Sequence, residues 1–157
     1  MTVSVRRVVT GHDKNGKAVV TIDEMGKNLV TSRPGVSTCV VWTEPLPADN
    51  SSDGDGARRQ IATTMSNGMV CRVIEFAPGC APRNHRTDSI DFAMVLSGEI
   101  DMQLDESEVH LKAGDVMVQR GTIHNWVNRG TEPCVIAFVL VHAAPVEAGG
   151  KVLPAVG

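Results

Sequence analysis

The feature that most constrains this chain is the spacing of its corners. In the second half, short runs of β-branched and apolar residues are broken at Ser97-Gly98, Asp105-Glu106-Ser107, Ala113-Gly114 and Asn128-Arg129-Gly130. Glycine and small polar residues at such intervals turn hairpins, because glycine enters the left-handed backbone region at little steric cost. Nowhere do apolar residues recur with the 3.6-residue period of a long amphipathic helix. Strands are predicted over 5–10, 18–23, 38–43, 69–76, 91–97, 99–104, 108–112, 115–120, 124–128 and 134–142. An even series of short antiparallel strands closes on itself to dispose of its edges, so the expected fold class is an all-β sandwich or barrel. Such a barrel has room for one small ligand.

The 157 residues suit one domain: N-terminal strands (1–44), a loop (45–60) and a core (69–142), with 143–157 as a flexible Ala/Gly/Pro-rich tail. The loop, PLPADNSSDGDGARRQ, has no periodicity and reads as a long loop or lid. It faintly echoes a calcium loop, but Gln60 stands where a bidentate Glu is needed. A net charge of -3 without a Lys/Arg cluster argues against nucleic acid as a partner. Charges interrupt every apolar run near the N-terminus, so neither a signal peptide nor a membrane partner is expected, and the predicted location is cytoplasmic. Cys39, Cys71, Cys80 and Cys134 form no CxxC pair and are expected to be free thiols.

Two segments combine imidazole and carboxylate with corner glycines: Gly79-x5-His85-x-Thr87-x3-Asp91-x6-Gly98, then Gly114-x4-Gln119-x-Gly121-x2-His124-x3-Asn128. Strand parity puts Asp91, Ala93 and Val95 on one face, and Ile90, Phe92, Met94 and Leu96 on the other. A carboxylate among small residues faces a cavity. The same parity puts His124 beside Trp126, an imidazole against an aromatic wall, which suits a ligand pocket. Two imidazoles and a carboxylate match catalytic metal sites that keep open positions, and they match acid-base chemistry equally well. Arg72 lies inside the apolar strand 69–76, and if it reaches inward it favours an anionic ligand. His12 and His110 read as surface residues, and His142 ends the last apolar strand.

These segments resemble the two motifs of the cupin family, usually written G-x5-H-x-H-x3,4-E-x6-G and G-x5-P-x-G-x2-H-x3-N. The resemblance covers residues 79–128 and implies a double-stranded β-helix, or jelly-roll, barrel. Carried over position by position, it implies His85, Asp91 and His124 as ligands of a divalent transition metal: Fe, Mn, Ni or Zn. Thr87 stands in place of the second His and Gln119 in place of the Pro, with the preceding gap one residue shorter. A three-ligand site of this kind binds its ion weakly or lacks it altogether. Thr87, Gln119, Trp126 and Arg72 are the further pocket candidates. The resemblance implies a metal-dependent enzyme of lyase, isomerase, decarboxylase or dioxygenase type, acting on a small oxygenated organic molecule. The alternatives are a metal-free acid-base enzyme and a non-catalytic binding module. Pairing through edge strands, common among such barrels, implies a homodimer.

Overall fold

A computed structural model describes residues 3–157. Its strands are β1 (Arg6–His12), β2 (Ala18–Met25), β3 (Leu29–Arg33), β4 (Val36–Pro45), β5 (Gly68–Phe76), β6 (Ser89–Ser97) and β7 (Glu99–Gln103). They continue as β8 (Glu108–Lys112), β9 (Val116–Arg120), β10 (Asn125–Val127), β11 (Cys134–His142), β12 (Val146–Ala148) and β13 (Lys151–Leu153). One 3-10 turn, Gly56–Arg58, is capped by the Asp55 carboxylate, which accepts from the Ala57 N–H. Among the described residues no helix is long and apolar enough to cross a membrane.

Two antiparallel sheets carry the fold. A six-stranded sheet runs β3-β4-β5-β11-β6-β9, and a three-stranded sheet runs β10-β7-β8. This is the closed all-β fold expected from the corner spacing, in the double-stranded β-helix form that the family resemblance implies. Alternation decides what lies between the sheets: along β6, Asp91, Ala93 and Val95 are buried while Ile90, Phe92 and Leu96 are exposed. The core contains Val70, Phe76, Ile100, Trp126, Ile136 and Phe138. Each fully buried side chain of this size contributes about 1.5–3 kcal/mol. A second cluster, Val3 with Cys39 and Val73, covers the outer side of the large sheet.

Departures from the sequence expectation have local causes. Strand β3 was not anticipated; it owes its place to pairing with β4 rather than to a buried face, since four of its five residues are exposed. Strands β1 and β2 form a separate hairpin tied down by Arg7, which is buried and donates to Asp55 at 2.7 and 2.6 Å and to Glu24 at 2.8 Å. Residues 143–157 are not the loose tail expected from their composition. Strands β12 and β13 pair through the Gly149-Gly150 turn, both glycines at positive φ, and Val156 bridges to Arg86.

Gly98 shows how strictly a corner is specified. Its φ is +74°, and an added Cβ would stand 2.5 Å from the Pro133 carbonyl oxygen. Gly98→Ala is expected to cost more than the roughly 1–2 kcal/mol of the left-handed conformation alone. Urea denaturation measures this, and a smaller loss would mean that the corner relaxes.

Candidate active site

The site begins with a two-residue pairing. His85 and His124 form an isolated antiparallel bridge in which each N–H donates to the other's carbonyl, at 3.0 and 2.9 Å. Their rings come together with centroids 4.2 Å apart. Each Nδ1 meets a backbone carbonyl, that of Arg83 for His85 and that of Thr122 for His124, both at 3.0 Å. A carbonyl only accepts, so each Nδ1 bears the hydrogen and each Nε2 keeps its lone pair. Burial pushes the His85 imidazole down to about 4, with neighbouring His124 adding to the effect, and burial lowers His124 as well. Both rings are therefore neutral at neutral pH.

Strand β6 supplies the acid. Thr87, Ser89 and Asp91 are all buried, at alternate positions on one face. The Ser89 hydroxyl lies 2.9 Å from Thr87 Oγ1 and 2.5 Å from Asp91 Oδ1. Gln119, the one buried residue of β9, stands opposite Asp91 in register. Its amide nitrogen lies 3.3 Å from Asp91 Oδ2 and 3.0 and 3.2 Å from the two ring nitrogens of His124. Because Nδ1 is already a donor, the Gln119 hydrogen goes to Nε2 of His124. His85 Nε2 is left as the free lone pair. Burial raises the Asp91 carboxyl, outweighing the hydrogen bond from Ser89.

These groups open into a cavity of about 350 Å³. Its apolar wall includes Ile74, Phe76, Trp126, Phe138 and Leu140. Trp126 meets the His124 ring edge-on at 6.2 Å and Phe138 at 5.6 Å, which fixes the imidazole against a rigid surface. Residues Ile61, Ala62 and Thr63, from the segment between β4 and β5, also line the cavity.

The fold brings His85, Asp91, His124, Thr87, Trp126 and Arg72 to this one cavity, while Gln119 sits behind it, joining Asp91 to His124. Neither Arg83 nor Arg86 pairs with Asp91. Arg83 donates to Thr63 Oγ1 and the Gly157 oxygen, and Arg86 to the Gly121 and Pro154 carbonyls. His85 and His124 stand ring to ring and Asp91 faces the same cavity; as the side chains are placed, no group of three His, Cys, Asp or Glu among the described residues is set to hold a metal ion. His110 is exposed and pairs with Asp101, and His142 is exposed too. Sequence reasoning missed Ser89, although it lies two residues before Asp91 on the same face. It also missed Arg33 and Arg83 as lining residues, and neither carries a periodic signal that would have found it.

Comparison with known proteins agrees with this architecture. The Cupin domain family model matches residues 72–141. The phomopsin biosynthesis cluster protein C' of Diaporthe leptostromiformis is 36% identical, over 94% of this chain and 83% of its own length. The cupin-domain-containing oxidoreductase fogC of Aspergillus ruber is 32% identical, over 94% of this chain and 77% of its own. In fold, the cupin domain of Schizosaccharomyces pombe Cnp3 superposes with a TM-score of 0.53 at 13% identity, covering 87% of each chain. With relatives matched along nearly its whole length, and two β-sheets closing on the paired motif histidines, the chain belongs to the cupin family.

Proposed function

We propose that the protein is an enzyme of small-molecule biosynthesis that moves a proton on a small oxygenated organic molecule held in the barrel, as in an enolisation or tautomerisation. The observation that carries this reading is the pairing of a carboxyl raised by burial with imidazoles lowered by burial in one cavity. Burial drives the two kinds of group toward a common pKa, so a proton passes between them, through a bound substrate, with little penalty. His85 Nε2 takes the proton from the carbon beside a carbonyl. Asp91 returns one to the oxygen or to a neighbouring carbon, and Gln119 and Thr122 hold His124 in a single tautomer. The names of the relatives support biosynthesis as the setting. An enol is also more readily oxidised than its ketone, so the reading accommodates relatives named oxidoreductases.

A second reading has its own support, since both Nδ1 hydrogen bonds leave Nε2 lone pairs, the arrangement that orients histidines for an ion. His85 and His124 would hold the ion, with Asp91 as third donor once it gives up Gln119. Such an ion supplies a Lewis acid that polarises a carbonyl oxygen. One experiment separates the two. The protein is incubated in D2O with a panel of small ketones and oxo acids, after exhaustive chelation or with Fe, Mn, Ni or Zn added, and loss of the α-proton is followed by NMR. Exchange that survives chelation is the expected result. Exchange that appears only with added ion overturns the acid-base reading in favour of the second.

A further inference from the structure

We propose that the cavity is built for an organic carboxylate with a flat apolar body, its carboxylate held by Arg72 with Arg83 and Arg33 beside it. This rests on the cavity being the substrate site, as above, and adds the substrate's charge. Three guanidinium groups line the cavity: Arg33, Arg72 and Arg83. Facing them are the imidazoles of His85 and His124 and a single carboxyl, Asp91, so the lining holds three cationic side chains against one acidic one. The chain as a whole carries -3, so this concentration of positive charge runs against its average.

Arg72 is the residue that needs explaining. It occupies the middle of β5, paired with Val40 on one side and Phe138 on the other, where an apolar residue would continue the inward row of Val70, Ile74 and Phe76. It is 9% exposed and forms no salt bridge among the described residues. Its Nη2 donates to the carbonyls of Ala62 and Thr63, at 2.9 and 2.6 Å, and its buried Nε has no partner. Burying a guanidinium without a counter-charge costs several kcal/mol, and an anion offset against it recovers that cost. Asp91 is near enough to favour the charged guanidinium but forms no ion pair with it, because its oxygens go to Ser89 and Gln119 and it stands on β6, with β11 between it and β5. A carboxylate presents two acceptors in the plane that a guanidinium fork requires. Arg83 reaches the same Thr63 that caps Arg72, through Oγ1 at 3.3 Å, so two of the cations converge under one loop. Phe76 and Phe138, beside Arg72 on the same sheet, and Trp126 on the other sheet offer flat apolar surface to the rest of the molecule.

The test uses benzoate and 2-naphthoate, each against its neutral amide. Binding is read by titration calorimetry and by the fluorescence of Trp126 in a Trp42→Phe background, which leaves it the only tryptophan. The acids are expected to bind at least roughly tenfold tighter than the amides, a preference that shrinks in high salt. Arg72→Gln should abolish most of it. Should that variant fold poorly, the half-buried Arg83→Gln should still reduce it, with Arg83→Lys retaining part. Equal binding of acid and amide, no binding of either acid, or unchanged acid binding in both Gln variants overturns the inference. An absent acid preference with α-proton exchange intact sinks the carboxylate site alone. Acid preference without any exchange sinks the proton-transfer reading alone.

Discussion

Replacing His85 with Gln is expected to lower the rate of α-proton exchange by roughly 10²–10⁴-fold, the range contributed by a positioned general base. Gln is close to His in volume, and the backbone pairing of residues 85 and 124 does not involve the side chain, so the barrel has no reason to open. What is lost is the one imidazole nitrogen whose lone pair faces the cavity without a partner. His124→Gln should cost less, because Gln119 already donates to that ring and the remaining base is intact. Asp91→Asn should fall between them, since it removes the returning proton but keeps an amide able to bond Ser89 and Gln119. His110→Gln, on the exposed face beside Asp101, is the control and should leave the rate unchanged. A His85→Gln protein that exchanges at the parent rate while folded, as judged by near-ultraviolet circular dichroism, would remove His85 from the chemistry.

How much of this could be read before the fold was known differs from residue to residue. Asp91, Ala93 and Val95 were placed correctly on the inner face by parity, since a strand has only two faces and the corner glycines fix where it begins. The same reasoning placed His124 with Trp126. The contact between His85 and His124 was beyond it, because that pairing joins residues from two separate approaches, and only the motif resemblance linked them. Gln119 was recognisable as a departure from the family pattern. Its bond to Asp91 depends on the register of β6 against β9, which no local signal encodes. Arg72 is the most instructive case. On an apolar strand it reads either as an edge residue or as a buried cation, and only the burial of β5 between β4 and β11 decides for the second. Residues 143–157 misled in the opposite direction, because their Ala/Gly/Pro composition describes a linker while Gly149 and Gly150 in fact turn a hairpin.

Stability should fall as the pH drops from about 7 toward 4.5, and His85 should be the main cause. In the unfolded chain its imidazole takes up a proton near its ordinary 6.5, whereas in the fold burial postpones this to about 4. Between those values the unfolded state binds more protons, so the stability present above 6.5 is lost as the pH falls through the window. At about 1.4 kcal/mol per pK unit, the full loss is on the order of 3 kcal/mol. His124, lowered in the same way, acts in the same direction. Asp91 opposes both: its raised carboxyl keeps a proton that the unfolded chain has released, so its contribution is greatest in acid and disappears as the pH rises through its folded value. The carboxylates lowered by ion pairs, Asp23, Glu24, Asp55, Asp101 and Glu108, begin to lose their contribution at the ordinary carboxylate values and lose the rest as the pH falls through their lowered folded values, so they overlap only the acid end of the histidine window. The exposed His110, raised by its hydrogen bond to Asp101, adds stability as the pH falls through its folded value, so the difference between the parent and the site variants in their urea midpoints at pH 7 and 4.5 is what isolates the buried site. The parent protein should lose stability over this interval, His85→Gln should lose markedly less, and Asp91→Asn should lose more, because the opposing carboxyl is gone. Equal losses in the parent and His85→Gln would mean that the ring is not held neutral in the fold, and a general base at residue 85 would lose its electrostatic basis.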